Sequence, residues 1–218
     1  MSTVLYIHGL ESGPQGSKAR ALAAAGFTVV AGQMPSAPAA IRRDPVVIAL
    51  AVTAIALVAA AIVGLGWIAG LGVGAGLAFA AVAARPLLVR RMFRRSVAVQ
   101  LRLLAANPID VVVGSSFGGA VALALLERGA WTGPTVLLCP AHRLVAERAW
   151  APAPGLPAGA RVVVVHGSRD EIVPLDHSRA LVAGTDTPLI VVDDDHRLSA
   201  TATAANLGAW VSAALRRT

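Results

Sequence analysis

The chain has one cysteine, Cys139, among its 218 residues. It can therefore form no internal disulfide, and a lone thiol fits a reducing compartment. Charge is scarce as well: Asp, Glu, Lys and Arg make up 14% of the residues, against 56% that are hydrophobic. An ordinary soluble domain carries about a quarter charged residues, so this balance points to a segment that does not live in water. Aromatic residues amount to only 4% and form no stripe interleaved with basic ones, which argues against a nucleic-acid partner despite the formal charge of +7. His and carboxylate residues show no ligand spacing such as H-E-x-x-H, so neither a metal nor a cofactor is expected. The start, Met1 to Ile7, lacks a basic n-region and offers only four apolar residues before His8-Gly9, so it does not read as a secretory signal. No internal repeat is visible.

The apolar excess is concentrated in one place. Val46 to Ala84 is a run of 39 residues without a charge, about twice the ~20 that one membrane-spanning helix needs. Gly64-Leu65-Gly66 lies near its middle, which predicts a hairpin of two spans, each of about 18 residues and about 27 Å. Two crossings also return the chain to its starting side, as they must if the flanking strands share one sheet. Between Arg42 and Arg95 there are seven arginines against Asp44 alone, leaving a balance of only +1 for the rest of the chain. Arginines on both flanks of an apolar run mark a cytoplasmic boundary. Small residues at Gly66, Gly70, Gly74 and at Gly72, Gly76, Ala80 permit close helix packing, within the hairpin or between hairpins as self-association. The alternative, two helices buried in an enlarged soluble core or a hydrophobic lid, needs more surrounding protein than a sheet domain of about 175 residues supplies.

Outside this run, short strand-like stretches alternate with helix-like ones, the signature of a mostly parallel sheet flanked by helices. Strands are predicted at Val4–Ile7, Phe27–Ala31, Ile109–Val113, Thr135–Leu138, Arg161–His166 and Leu189–Val192. Helices are predicted at Ser17–Ala25, Ser96–Ala106, Phe117–Arg128, Asp176–Ala183 and Thr201–Leu215. The segment 151–160, APAPGLPAGA, is a connector. The domain division is thus 1–44 with 96–218 as one α/β domain, and 45–95 as an inserted transmembrane hairpin with its basic flank.

Between the predicted strand ending at Val113 and the helix beginning at Phe117 stands Gly114-Ser115-Ser116-Phe117-Gly118. G-x-S-x-G between strand and helix is the setting of a nucleophile elbow, where glycines spare a cramped turn two Cβ atoms. A serine hydroxyl is a poor nucleophile until a base removes its proton and a carboxylate holds that base. Downstream, HGSRDEIVP follows one strand and offers Asp170 or Glu171, and VVDDDHRLS ends the next and offers His196. Each lies beyond the carboxyl end of a strand, the edge where open α/β sheets build sites. His177 reads as a solvated neighbour of a helix cap and His142 as part of a connector. Asp193 to Asp195 either hold His196 or form a solvated loop. His8-Gly9 ends the first strand, and the loop after it can aim the backbone N–H of Leu10 at a developing oxyanion, with the Phe117 N–H as second donor. The His8 side chain itself reads as structural.

These motifs together resemble the small bacterial α/β-hydrolase esterases, whose chains begin HG-x-x-S-x-P-x-x-S-K-A and later carry G-S-S-x-G-G. Here they read His8-Gly9, Ser12, Pro14, Ser17-Lys18-Ala19 and Gly114 to Gly119, and the likeness continues through HGSRDEIVP and DDDHRLS over most of 1–36 and 96–218. The resemblance implies a small α/β-hydrolase fold with Ser116, Asp170 and His196 as the triad, and it selects Asp170 over Glu171 as the acid. Family members lack the stretch 45–95. The expectation is a serine hydrolase acting on a small-molecule ester or thioester, tethered to the inner membrane with its catalytic domain in the cytoplasm and the lipid bilayer as its partner. The alternative is a membrane-anchored, non-catalytic binding or scaffold protein with a hydrolase-like shell. Lipid esters are also conceivable substrates, though tethering alone does not argue for them.

Overall fold

The computed structural model describes residues 1–10, 12–35, 43 and 45–217. Arg42 and Asp44, counted above in the flank of the insert, lie outside the described residues. The described strands are β1 (Thr3–Ile7), β2 (Thr28–Val30), β3 (Val111–Ser115), β4 (Thr135–Leu138), β5 (Val162–Gly167) and β6 (Leu189–Val192). They form one parallel sheet in the order β2-β1-β3-β4-β5-β6, with Leu5 opposite Val112, Val113 opposite Val136 and Val165 opposite Ile190. The helices are α1 (Ser17–Ala24), α2 (Pro45–Leu65), α3 (Trp67–Ala106), α4 (Phe117–Glu127), α5 (His142–Ala149), α6 (Leu175–Val182) and α7 (Ala204–Leu215).

Side chains alternate across a strand, so each Val-rich run supplies two cores. On one face Val4, Tyr6, Val111, Val113, Val163 and Val165 pack with Leu22 of α1 and Leu207 and Val211 of α7. On the other Leu5, Ile7, Val112, Leu137 and Val164 pack with Val97 of α3 and Val121, Leu123 and Leu125 of α4. Ten of the eleven residues of α4 are buried, and each such Val or Leu stabilises the fold by about 1.5–3 kcal/mol relative to exposure. Strand order reverses direction between β1 and β3. The loops leaving these two neighbours depart to opposite faces, which opens a crevice at the carboxyl edge of the sheet.

α2 and the apolar first part of α3 stand apart from both cores, which only the later turns of α3 reach. In the most apolar stretch of α2 and of α3 only 6% of residues are buried, with mean hydropathies of 3.0 and 1.9. Ile55, Val63, Ile68, Leu71 and Phe79 are all exposed. The 21 residues of α2 reach about 32 Å at a 1.5 Å rise, long enough for a hydrocarbon core of about 30 Å. Gly66, with φ of 86°, turns the chain between them in a conformation suited to glycine. Of the small residues, Gly70 meets α2, where an added Cβ would collide with the Ile62 side chain; Gly72, Gly74 and Gly76 face open space.

Most element ends fall within three residues of the sequence reading, and two differences are larger. The helix expected to begin at Ser96 is the last part of α3, which runs unbroken for 40 residues with Pro86 inside it. The arginine-rich stretch before Ser96 contains no glycine, and arginine is a strong helix former, so nothing there ends the helix. The stretch after Pro140, read as a connector, is helical: α5 buries His142, Ala146 and Ala149, a spacing that puts them on one face.

Candidate functional site

The loop after β3 carries Ser116 at φ 54° and ψ −115°. A non-glycine residue rarely adopts this left-handed conformation, and the surroundings must enforce it. They do so through close packing. A Cβ on Gly114 would come within 2.7 Å of the Gly118 carbonyl oxygen, one on Gly118 would strike the Ile7 backbone, and one on Gly119 would meet Pro140 at 2.9 Å. The turn is also pinned by hydrogen bonds, the Ser116 N–H donating to the Leu138 carbonyl at 2.8 Å and its own carbonyl accepting from Gly119 and Ala141.

The turn holds the Ser116 hydroxyl at 2.8 Å from His196 Nε2, and His196 Nδ1 lies 2.7 Å from Asp170 Oδ2. With Nδ1–H donated to the carboxylate, Nε2 is left as the acceptor of the serine proton. The Asp170 side chain is fully buried, and its Oδ1 accepts the backbone N–H groups of Ile172 and Val173 at 2.9 and 2.8 Å. Burial alone would raise its pKa, but hydrogen bonds from His166, His196 and Val173 outweigh that and hold the carboxyl well below the usual range. Of the two acids open in the sequence, Asp170 joins His196, whereas Glu171 is exposed.

Leu10 and Phe117, the expected oxyanion donors, flank Ser116. Leu10 lines the same cleft of about 440 Å³ as Ser116, His196 and Ile172, and Phe117 opens α4 directly after the serine. The loop with Leu10 runs close to the serine: a Cβ on Gly9 would be in van der Waals contact with the Ser116 Cβ, at 3.4 Å. His8 is buried, with Nδ1 donating to the Gly9 carbonyl at 2.7 Å. Its ring thus orders the loop, and burial lowers its pKa. Ser12 accepts from the Gly9 N–H at 3.1 Å.

The remaining histidines and acids are placed elsewhere. His142 is buried, its Nδ1 against the Pro140 carbonyl at 3.1 Å. His177 is not the solvated residue expected: its ring stacks edge-on with His142 at 6.5 Å, and its Nδ1 is buried without a partner among the described residues. Asp193 and Asp194 divide their roles. Asp193 is exposed and pairs with Arg169 at 2.9 Å. Asp194 is buried and accepts from the backbone of Asp195, Ala200 and Thr201, so it folds the loop that presents His196.

Three supporting residues received no role from the sequence. His166, fully buried at the end of β5, places Nε2 at 3.2 Å from Asp170 Oδ2 and 2.9 Å from the Val173 carbonyl, while Nδ1 accepts from Ser178 at 2.7 Å. His166-Gly167 repeats the His8-Gly9 dipeptide at a second strand end, which was the available signal. The Tyr6 hydroxyl bonds to Ser12 and Ser115, and burial pushes its pKa up to about 12, so it remains a donor beneath the turn. Lys18 Nζ donates to the Arg197 carbonyl at 2.5 Å, tying α1 to the His196 loop.

Cys139, His166 and Asp170 bring possible metal-ligand atoms within 4.8 Å of one another. Their chemistry fits the hydrogen-bonded arrangement better than a metal. Burial pushes the Cys139 thiol up, away from thiolate, and His166 Nε2 must carry a proton to satisfy the Val173 carbonyl.

No protein-family model and no curated protein matches the chain. Solved structures do. A candidate hydrolase of the alpha/beta superfamily from Xanthomonas campestris pv. campestris superposes with a TM-score of 0.57 at 21% identity, covering 99% of this chain and 96% of that one. A candidate hydrolase from Agrobacterium vitis S4 gives 0.59 at 19%, covering 99% and 88%. An alpha-beta serine hydrolase homologue from Coxiella burnetii gives 0.52 at 15%, covering 96% and 83%. The fold is therefore that of the α/β hydrolases.

Proposed function

We propose that the chain is a serine hydrolase of carboxylic esters or thioesters, tethered to the inner membrane by the hairpin within 45–95 and formed otherwise by 1–44 and 96–218 as one cytoplasmic catalytic domain. The observation that carries this reading is the continuous relay from Ser116 Oγ through His196 to a buried, ionised Asp170, at 2.8 and 2.7 Å. Ser116 Oγ bonds to the substrate carbonyl carbon as its proton passes to His196 Nε2. The carbonyl oxygen, now negative, is received by the N–H groups of Leu10 and Phe117. Collapse breaks the bond to the leaving oxygen or sulfur, which takes the proton from His196. Water then repeats the exchange and releases the acid. Asp170 keeps the His196 ring oriented and stabilises its cationic form without taking its proton. Tethering is supported by the uncharged run 46–84, whose most apolar stretches in α2 and α3 are exposed, and by Arg85, Arg90, Arg91, Arg94 and Arg95, which follow it on α3. The open faces at Gly72, Gly74 and Gly76 suit self-association of hairpins.

Fluorophosphonate labelling of the full chain tests the reading. Wild type and Ser115→Ala should label, and Ser116→Ala should not. A chain that never labels is the non-catalytic scaffold instead.

A further inference from the structure

The direction in which α3 leaves the domain bears on the substrate. Its last turns pack on the sheet through Val97 and Leu103, and the chain then enters β3 from the amino-terminal edge, where the Asp110 N–H donates to the Thr3 carbonyl. α3 therefore runs antiparallel to β3, and going back along it leads towards the edge that carries Ser116. The level is fixed by the edge-on stacking of Phe93 on Phe117, 6.0 Å between ring centres. Phe93 thus stands beside the residue that follows Ser116. From Phe93 to Arg85, the charge that closes the apolar run, is eight residues, about 12 Å of helix. The hairpin leaves past the active-site edge, and on the tethered reading the bilayer lies just above the cleft.

The surface at this edge has matching character. Arg90 donates from Nε to the Ala149 carbonyl and from its guanidinium to the Trp150 carbonyl, both at 2.5 Å. This fixes Trp150 at the height of the basic flank with its side chain 73% exposed. Indole rings favour that depth, between headgroups and water. Ile172, on the lip of the cleft over Ser116, is 55% exposed.

We infer that the cleft takes its substrate from the bilayer: a long-chain carboxylic ester dissolved in the leaflet next to the domain, its carbonyl raised to Ser116 while its chain stays in lipid. This rests on the hydrolase and tether readings above. The chemistry is unchanged: Ser116 Oγ replaces the alcohol, which leaves with the serine proton, and water then frees the fatty acid.

The test uses the full chain reconstituted in phosphatidylethanolamine–phosphatidylglycerol vesicles. A fluorescent fluorophosphonate is attached at Ser116 and energy transfer to a headgroup-labelled lipid is measured. In parallel, hydrolysis of 4-methylumbelliferyl oleate in the vesicles is compared with that of the butyrate in buffer. The label should sit within about 25 Å of the headgroup plane, whereas a site on the far side of a domain of this size would lie about 40 Å or more away. Because binding of a remote chain lowers the barrier only if the chain is engaged, the oleate should turn over about tenfold faster or more. Labelling with butyrate hydrolysis, but with a distant label or an inert oleate, overturns the substrate class and leaves the hydrolase reading intact. Failure to label or to cleave either ester overturns the hydrolase reading, and this inference with it.

Discussion

Four donors converge on the Asp170 carboxylate: two backbone N–H groups on Oδ1, and His196 and His166 on Oδ2. Its pKa is lower in the folded chain than in the unfolded one. Its contribution to stability is therefore complete above the unfolded value of about 4 and is lost as pH falls through the folded value. Asp170→Asn should melt below wild type at pH 6 to 8, and the gap should narrow below pH 4 in a thermal unfolding series. In turnover assays, Asp170→Asn and His196→Ala should each lose about 10⁴-fold in kcat with the fold retained, while His177→Ala, whose ring faces His142, should change kcat by less than about threefold. A comparable loss in His177→Ala would mean that the relay has been drawn through the wrong ring. At this scale the sequence disclosed residues at strand ends: Ser116 after β3, Asp170 after β5, His196 after β6. It did not disclose what lies beneath them. His166, Tyr6 and Lys18 lie 4, 109 and 179 residues from Asp170, Ser115 and Arg197, the groups they touch, and only tertiary packing brings the distant pairs together.

Among the elements, α3 carries the most tension between sequence and environment. Gln100 is fully buried on it, and neither its amide oxygen nor its nitrogen has a partner among the described residues. Gln100→Leu should raise stability by about 1–3 kcal/mol, seen as a thermal midpoint several degrees higher; an unchanged or lower midpoint would show that the amide is satisfied. The other test at this scale concerns the apolar helices. Replacing 46–84 with a short flexible linker removes their uncharged run but keeps Arg90 on α5 and Phe93 on Phe117. The product should be soluble without detergent and still label at Ser116; aggregation or loss of labelling would place the hairpin in the folding core. The strands were legible because they are short, β-branched and bounded by turns. α5 was hidden by the Pro/Gly-rich stretch that follows it, and the unity of α3 by the abrupt change from apolar to basic residues. That change in solvent preference does not interrupt the helical backbone.

For the whole molecule, the tether reading makes a further expectation. The full chain should sediment with membranes through high-salt and carbonate washes, because adsorption by the arginines alone would be released by salt. A reporter inserted at Gly64 to Gly66 should lie on the opposite side from both termini. A chain released by salt, or a reporter on the termini's side, would refute a spanning hairpin. The sheet order adds a constraint on synthesis. β1 pairs with β2 on one side and with β3 on the other, yet β3 is made only after both long helices. A ribosome would thus deliver β1 and β2, then the two long helices, which on the tether reading are bound for lipid, and only afterwards the strand that completes the middle of the sheet. During that interval β1 exposes an unpaired edge, which invites aggregation. Nascent chains arrested before Val111 should therefore depend on chaperones, whereas chains extended past Leu138 should acquire protease resistance as β3 and β4 join the waiting strands.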